Sequence, residues 1–128
     1  MMDNHGHYEY SIYGPDGFES AAFEFLDKQK DSDKPFLLYY STPLVHTPHT
    51  PTPDSESWDL DFAGRFQKDT ANFKDMVAYL DKKVGRMIDR LKRNGQWENT
   101  IFIFTSDNGT STRIVSQMSD GTLRRGGK

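Results

Sequence analysis

At 128 residues and 34% hydrophobic content, the chain is long enough for one small domain with one core. Its formal charge is only −3 and its lysines and arginines are scattered along the sequence, which argues against a nucleic-acid or anionic-membrane binder. The absence of cysteine excludes disulfides and thiolate metal sites. No apolar run has the length of a membrane-spanning helix, and no basic-then-apolar leader pattern is visible at the start.

Tyr8, Tyr10 and Ile12 alternate, as a short strand or extended arm would. His5 and His7 sit among them and are read as solvated. Pro15-Asp16-Gly17 marks a turn or helix start. Phe18, Ala21, Ala22, Phe25 and Leu26 then recur at helical spacing, with Phe23 off that stripe. The charged run 27–33 is read as a surface exit from this helix.

Phe36 to Tyr40 is a short apolar run with the character of a strand. It breaks at Ser41-Thr42-Pro43. The next segment holds Pro43, Pro48, Pro51 and Pro53, which remove backbone donors and fix φ. Residues before proline are also held extended, so this loop is stiff and irregular. It carries His46 and His49, either as positioned functional groups or as incidental members of a surface loop. Trp58, Phe62 and Phe66 follow at four-residue spacing and suggest a short helix or a cover for the loop.

The clearest helix spans residues 73–93, with Asp69, Thr70 and Asn72 as candidate N-caps. Phe73, Met76, Val77, Leu80, Val84, Met87, Ile88 and Leu91 form its apolar stripe. Its last turn is basic, which suits the negative end of the helix dipole. Asn94-Gly95 supplies a left-handed cap.

Ile101 to Phe104 forms a second strand-like run, of the kind buried on both faces. It ends in Asp107-Asn108-Gly109. These three residues favour turns, but a carboxylate beside an amide carbonyl is also a hard oxygen donor set for Ca²⁺ or Mg²⁺. Strand, long helix and strand in sequence define a βαβ unit, with parallel strands and a right-handed crossover. Parallel neighbours end at one sheet edge, where ligands of open α/β sheets bind. The histidine loop and Asp107-Asn108 are therefore expected on the same side. Ser119-Asp120-Gly121 reads as a turn, and the basic, glycine-containing stretch 124–128 as a frayed tail. Asn108-Gly109-Thr110 also matches a glycosylation sequon, which conflicts with Asn108 as a ligand.

Taken together, Lys34-Pro-Phe-Leu-Leu-Tyr-Tyr40, Val45-His-Thr-Pro48, residues 75–85, residues 99–109 and Gly126-Gly-Lys128 resemble the sulfatases. These are formylglycine-dependent sulfuric ester hydrolases of the alkaline phosphatase superfamily. Pro48-His-Thr-Pro-Thr-Pro-Asp-Ser55 is similar to bacterial arylsulfatase A-type members. The likeness covers about residues 13–128. It implies an α/β fold, a partial three-layer sandwich with a mainly parallel sheet, of which residues 1–128 would be a middle portion. It implies metal ligation by Asp107 and Asn108, usually of Ca²⁺. His46 matches a candidate general acid on the leaving-group side. Lys128 matches the lysine that contacts a sulfate oxygen and the bridging oxygen. His49 falls on no such position. The substrate implied is a sulfate ester, either an aryl sulfate or a sulfated glycan, and the family is commonly exported.

The chain departs from the pattern where the nucleophile should be. The Cys-x-Pro-Ser-Arg motif that yields formylglycine is absent, as are the family's paired N-terminal aspartates and the Lys and His that follow the nucleophile. The expectation is a sulfatase segment that binds metal weakly and is inactive alone. The alternatives are a phosphodiesterase or phosphonate hydrolase segment of the same superfamily, or a non-catalytic remnant.

Overall fold

The computed structural model describes residues 13–58 and 70–128. Among them are helix α1 (Gly14–Gln29), helix α2 (Asn72–Arg93), a 3₁₀ turn (Trp97–Asn99), and strands β1 (Val115–Gln117) and β2 (Leu123–Arg125). The expected arm around Tyr8, Tyr10 and Ile12, the residues His5 and His7, and Phe62 and Phe66 lie outside the described residues. No described helix is long and apolar enough to cross a membrane.

Pro15 stands in the first turn of α1, where a fixed φ suits the helix and no amide hydrogen is needed. Helix α2 begins without a side-chain cap; its preceding residue is Ala71, so neither Thr70 nor Asn72 takes that position, and Asp69 lies outside the described residues. Its far end matches expectation. Gly95 has φ 71°, its amide donates to the Lys92 carbonyl, and the Gln96 amide donates to that of Leu91. This is the Schellman arrangement that a left-handed glycine permits.

The two helices run side by side in the same direction. Asp16 and Glu19, early in α1, meet Tyr79 and Lys83 of α2, while Asp27 meets Arg90 and Asn94 further on. Ala22, Phe23 and Leu26 pack on Met87 and Leu91 to form the main core. The buried face of α1 is therefore Pro15, Glu19, Ala22, Phe23 and Leu26. Phe18 is 53% exposed, so the apolar stripe expected on α1 is rotated, and Phe23 belongs to the core. On α2 the buried positions are Met76, Tyr79, Lys83, Met87 and Leu91, with Val77 turned outward.

One cause of both rotations is a buried ion cluster. Lys83 Nζ lies 2.9 Å from Glu19 Oε2 and also pairs with Asp16. Arg86 reaches the same Glu19 oxygen at 3.1 Å. The Tyr79 hydroxyl donates to Asp16 Oδ1 at 2.7 Å. Burial first, and then that bond to a carboxylate, hold the Tyr79 phenol well above its ordinary pKa. Glu19 Oε1 and the Tyr40 hydroxyl are buried beside this cluster with no hydrogen-bond partner among the described residues.

Residues 36–40 and 101–105 are the two expected strands. Phe36, Leu38 and Tyr40 pack on the helix core, whereas Leu37 and Tyr39 are 91% and 88% exposed. Phe102 packs inward against the same core, while Ile101 and Ile103 are exposed. The side-chain alternation of a strand holds over 36–40 and 101–103 and stops at Phe104, which is 65% exposed. Neither run belongs to a hydrogen-bonded ladder, and the sheet among the described residues is the antiparallel pair β1–β2. Burial on both faces is thus corrected to burial on one. Helices cover one side, and no described element covers the other.

Candidate functional site

The proline segment is anchored along α2. Leu44 is buried against Met76 and Tyr79. The His49 ring meets Phe73 edge-on at 5.4 Å, and the His49 carbonyl accepts from Asn72. Thr52 and Ser55 close a buried turn through Thr52 N to Ser55 Oγ at 2.9 Å. Asp54 pairs with Lys82. Tyr13 completes the packing, with its ring edge-on to Tyr79 and Trp58. Its phenol is pushed up to about 12 by burial and by Asp16.

The two histidines of this segment differ sharply. His49 is buried, and its pKa is lowered by desolvation and then by the neighbouring His46. It is a packing residue. His46 is exposed, and its Nδ1 lies 2.7 Å from the Thr47 carbonyl. A carbonyl only accepts, so Nδ1 is the donor in this contact and Nε2 is left for another partner.

Asp107 and Asn108 follow the second extended run in an exposed turn, where the Ser106 hydroxyl donates to the Asn108 carbonyl at 2.6 Å. Among the described residues, neither the Asp107 carboxylate nor the Asn108 amide has a hydrogen-bond or ion-pair partner. Both side chains are therefore available to a ligand.

Lys128 reaches this turn through the hairpin. Strands β1 and β2 pair Val115 with Arg125, Ser116 with Arg124 and Gln117 with Leu123. The pairing continues beyond β2: Gly126 N donates to the Ile114 carbonyl at 3.0 Å and Lys128 N to the Thr110 carbonyl at 3.1 Å. A side chain at position 126 would overlap the Ser111 and Thr110 carbonyl oxygens, so the close approach requires glycine. The stretch read as a frayed tail is thus paired, and Lys128 lies beside Gly109 and Thr110. No described contact ties His46 to this turn.

Oxygen donors of the right type for a hard cation are present, but Asp107 and Asn108 supply two of the six to eight oxygens Ca²⁺ takes. No group of three or more His, Cys, Asp or Glu residues able to hold a metal ion occurs among the described residues. An open depression of about 410 Å³ is lined by Asp54, Ser55, Glu56, Asn72 and Asp75 among others, and shares no residue with the Asp107 turn.

Comparison with known proteins defines the class. The sulfatase family model matches residues 2–127, and the chain belongs to the sulfatase family. It is 35% identical over 98 residues to the uncharacterized sulfatase YdeN of Escherichia coli K12, covering 76% of this chain and 17% of that protein. It is 33% identical over 111 residues to human arylsulfatase A, covering 87% of this chain and 20% of that protein. It is 38% identical over 90 residues to the N-acetylgalactosamine-6-O-sulfatase of Bacteroides thetaiotaomicron, covering 70% and 16%. The chain therefore spans about a fifth of the length of these relatives. No solved structure matches it. The family carries an alkaline-phosphatase-like α/β fold, within which the helices and extended segments described here are the sulfatase portion.

Proposed function

We propose that this chain supplies part of the cation and sulfate site of a sulfuric ester hydrolase. Asp107 and Asn108 are the cation ligands, Lys128 the contact to sulfate oxygens, and His46 the proton donor on the leaving-group side. The observation that carries this reading is the bond from Lys128 N to the Thr110 carbonyl, which holds a cation-bearing residue beside two unpartnered oxygen donors. The relatives named above are all sulfatases. The two extended segments are read as strands of a mainly parallel sheet in a three-layer sandwich.

As the sulfuryl group passes to a nucleophile such as water, the ester S–O bond breaks and leaves negative charge on the bridging oxygen. The Lys128 ammonium offsets that charge, and a proton delivered from His46 Nε2 releases the alcohol. Asp107 and Asn108 would hold Ca²⁺, or Mg²⁺, which would supply positive charge to the site. The substrate is an aryl sulfate or a sulfated glycan. The chain has no cysteine from which a formylglycine could form, so the 128 residues alone are expected to turn over no sulfate ester.

Calorimetric titration of the purified chain tests this reading. Ca²⁺ should bind weakly, and inorganic sulfate should bind only with Ca²⁺ present. Asp107→Asn should abolish both, and Lys128→Ala should abolish the sulfate signal alone. Calcium affinity unaltered by Asp107→Asn would refute the assignment, as would metal-dependent hydrolysis of an aryl sulfate by the chain itself.

A further inference from the structure

Arginines dispersed in the sequence are brought together by the hairpin. Between residues 110 and 128 stand Arg113, Arg124, Arg125 and Lys128 against the single carboxylate of Asp120, although the whole chain carries −3. Residue 113 lies two positions before Val115, and Val115 is the register partner of Arg125. Paired strands lie about 4.8 Å apart, and the Arg125 guanidinium reaches Thr112, so Arg113 and Arg125 lie close together, whereas Arg124, paired with Ser116, faces the other side of the hairpin. The hairpin adjoins the Asp107 turn through the Lys128–Thr110 bond.

These cations are unspent. Lys83, Arg86 and Arg90 on α2 each pair with a carboxylate of α1, and Lys82 pairs with Asp54. Arg113, Arg124, Arg125 and Lys128 form no ion pair among the described residues, and the Arg125 guanidinium makes one long 3.5 Å bond to the Thr112 carbonyl. Asp120 is occupied within the turn, where it accepts from Thr122 N at 2.9 Å and from Thr122 Oγ1 at 2.7 Å. Those bonds hold its carboxyl below the usual range and keep it from reaching the arginines. Together with the left-handed Gly121 they fix the turn. The arm is therefore ordered before any ligand arrives, which reduces the entropy lost on binding. Val115 and Leu123 are exposed on the same face as Arg125, so apolar surface accompanies the charge.

We infer that this hairpin is a second anion-binding arm, which grips a further sulfate or carboxylate of a polyanionic glycan whose scissile ester sits at the Asp107–Lys128 site. Arg113 and Arg125 are its specificity-determining residues. The guanidinium fork matches the planar edge of a sulfate or carboxylate and binds it in bidentate fashion. The inference rests on the sulfatase reading for its substrate class, but its test does not require the cation site.

Fluorescence anisotropy of a labelled chondroitin 6-sulfate hexasaccharide, titrated with the purified chain in EDTA, provides that test. The chain should bind the sulfated probe and not the chemically desulfated one. Affinity should fall steeply between about 0.05 M and about 0.3 M salt, because exposed charges are screened. The double variant Arg113→Ala, Arg125→Ala should bind about tenfold more weakly or worse. The variant with lysine at the same two positions should recover part of the loss and reports that the hairpin still folds. Equal binding by the alanine variant would overturn the inference, and so would equal binding of the desulfated probe. Equally tight binding of a single-stranded DNA oligomer of the same charge would overturn it too, since the arm would then be a general polyanion surface. Loss of calcium binding with sulfated-probe binding intact would count against the cation assignment alone.

Discussion

Replacing Lys83 by methionine should cost far more stability than any exposed charge in the molecule. The Lys83 side chain is 2% exposed and that of Glu19 3%, so neither charge is compensated by water. Without the ammonium, Glu19 keeps only Arg86, whose side chain is 49% exposed. Removing one member of a buried ion pair costs about 3–5 kcal/mol, and the remaining arginine places this case near about 3 kcal/mol. With a urea dependence of about 1–3 kcal/mol per M, the unfolding midpoint should drop by about 1–3 M. Urea unfolding followed by circular dichroism at pH 7 measures it. The double variant Lys83→Met, Glu19→Leu should recover most of the loss, because no desolvated charge is left without its partner. A midpoint for Lys83→Met within about 0.3 M of the parent would refute the argument. So would a double variant as unstable as the sum of the singles.

Three further outcomes follow from particular residues. Gly126→Ala should push the chain away from the Thr110 and Ser111 carbonyls, at about 1–3 kcal/mol; amide exchange at Gly126 and Lys128 should quicken, and unchanged protection would show that no close approach exists. His49 has a pKa lowered in the folded state, so the stability it contributes is present above the unfolded value near 6.5 and is lost as pH falls through the folded value. His49→Gln should therefore flatten the acid side of a pH–stability curve below about 6.5, and a curve of unchanged slope would contradict the assignment. Leu37→Lys with Ile101→Lys should alter stability by no more than about 0.5 kcal/mol, since both side chains are 91% exposed, while raising the concentration at which light scattering appears. A large destabilisation would mean that the face is covered.

The sequence made both helices legible, because their apolar periodicity and the Asn94-Gly95 stop are local signals. Their buried faces were less so. A reading that counts apolar residues passes over Glu19 and Lys83, which occupy core positions because each satisfies the other across the helix pair. The clue lay in spacing, with Lys83 four residues from both Tyr79 and Met87. Residues 36–40 and 101–104 were recognisable as strand-like, but which backbone pairs with which is a long-range property that no run of five residues encodes. Hairpin β1–β2 escaped notice because Val115-Ser-Gln117 and Leu123-Arg-Arg125 are short, polar and mostly exposed. That omission also hid how Lys128 meets the Asp107 turn, and it made a paired strand look like a loose end.

Asp107, Asn108 and Lys128 are proposed to act as one site around a hard cation. A Ca²⁺ titration of the ¹⁵N-labelled chain, followed by amide chemical shifts, tests it residue by residue. The shifts of residues 107–109 should move together with those of Thr110 and Lys128, with a dissociation constant no tighter than about 1 mM for so few protein ligands. Movement confined to Asp54, Glu56 and Asp75 around the open depression, with residues 107–110 and 128 unchanged, would contradict it.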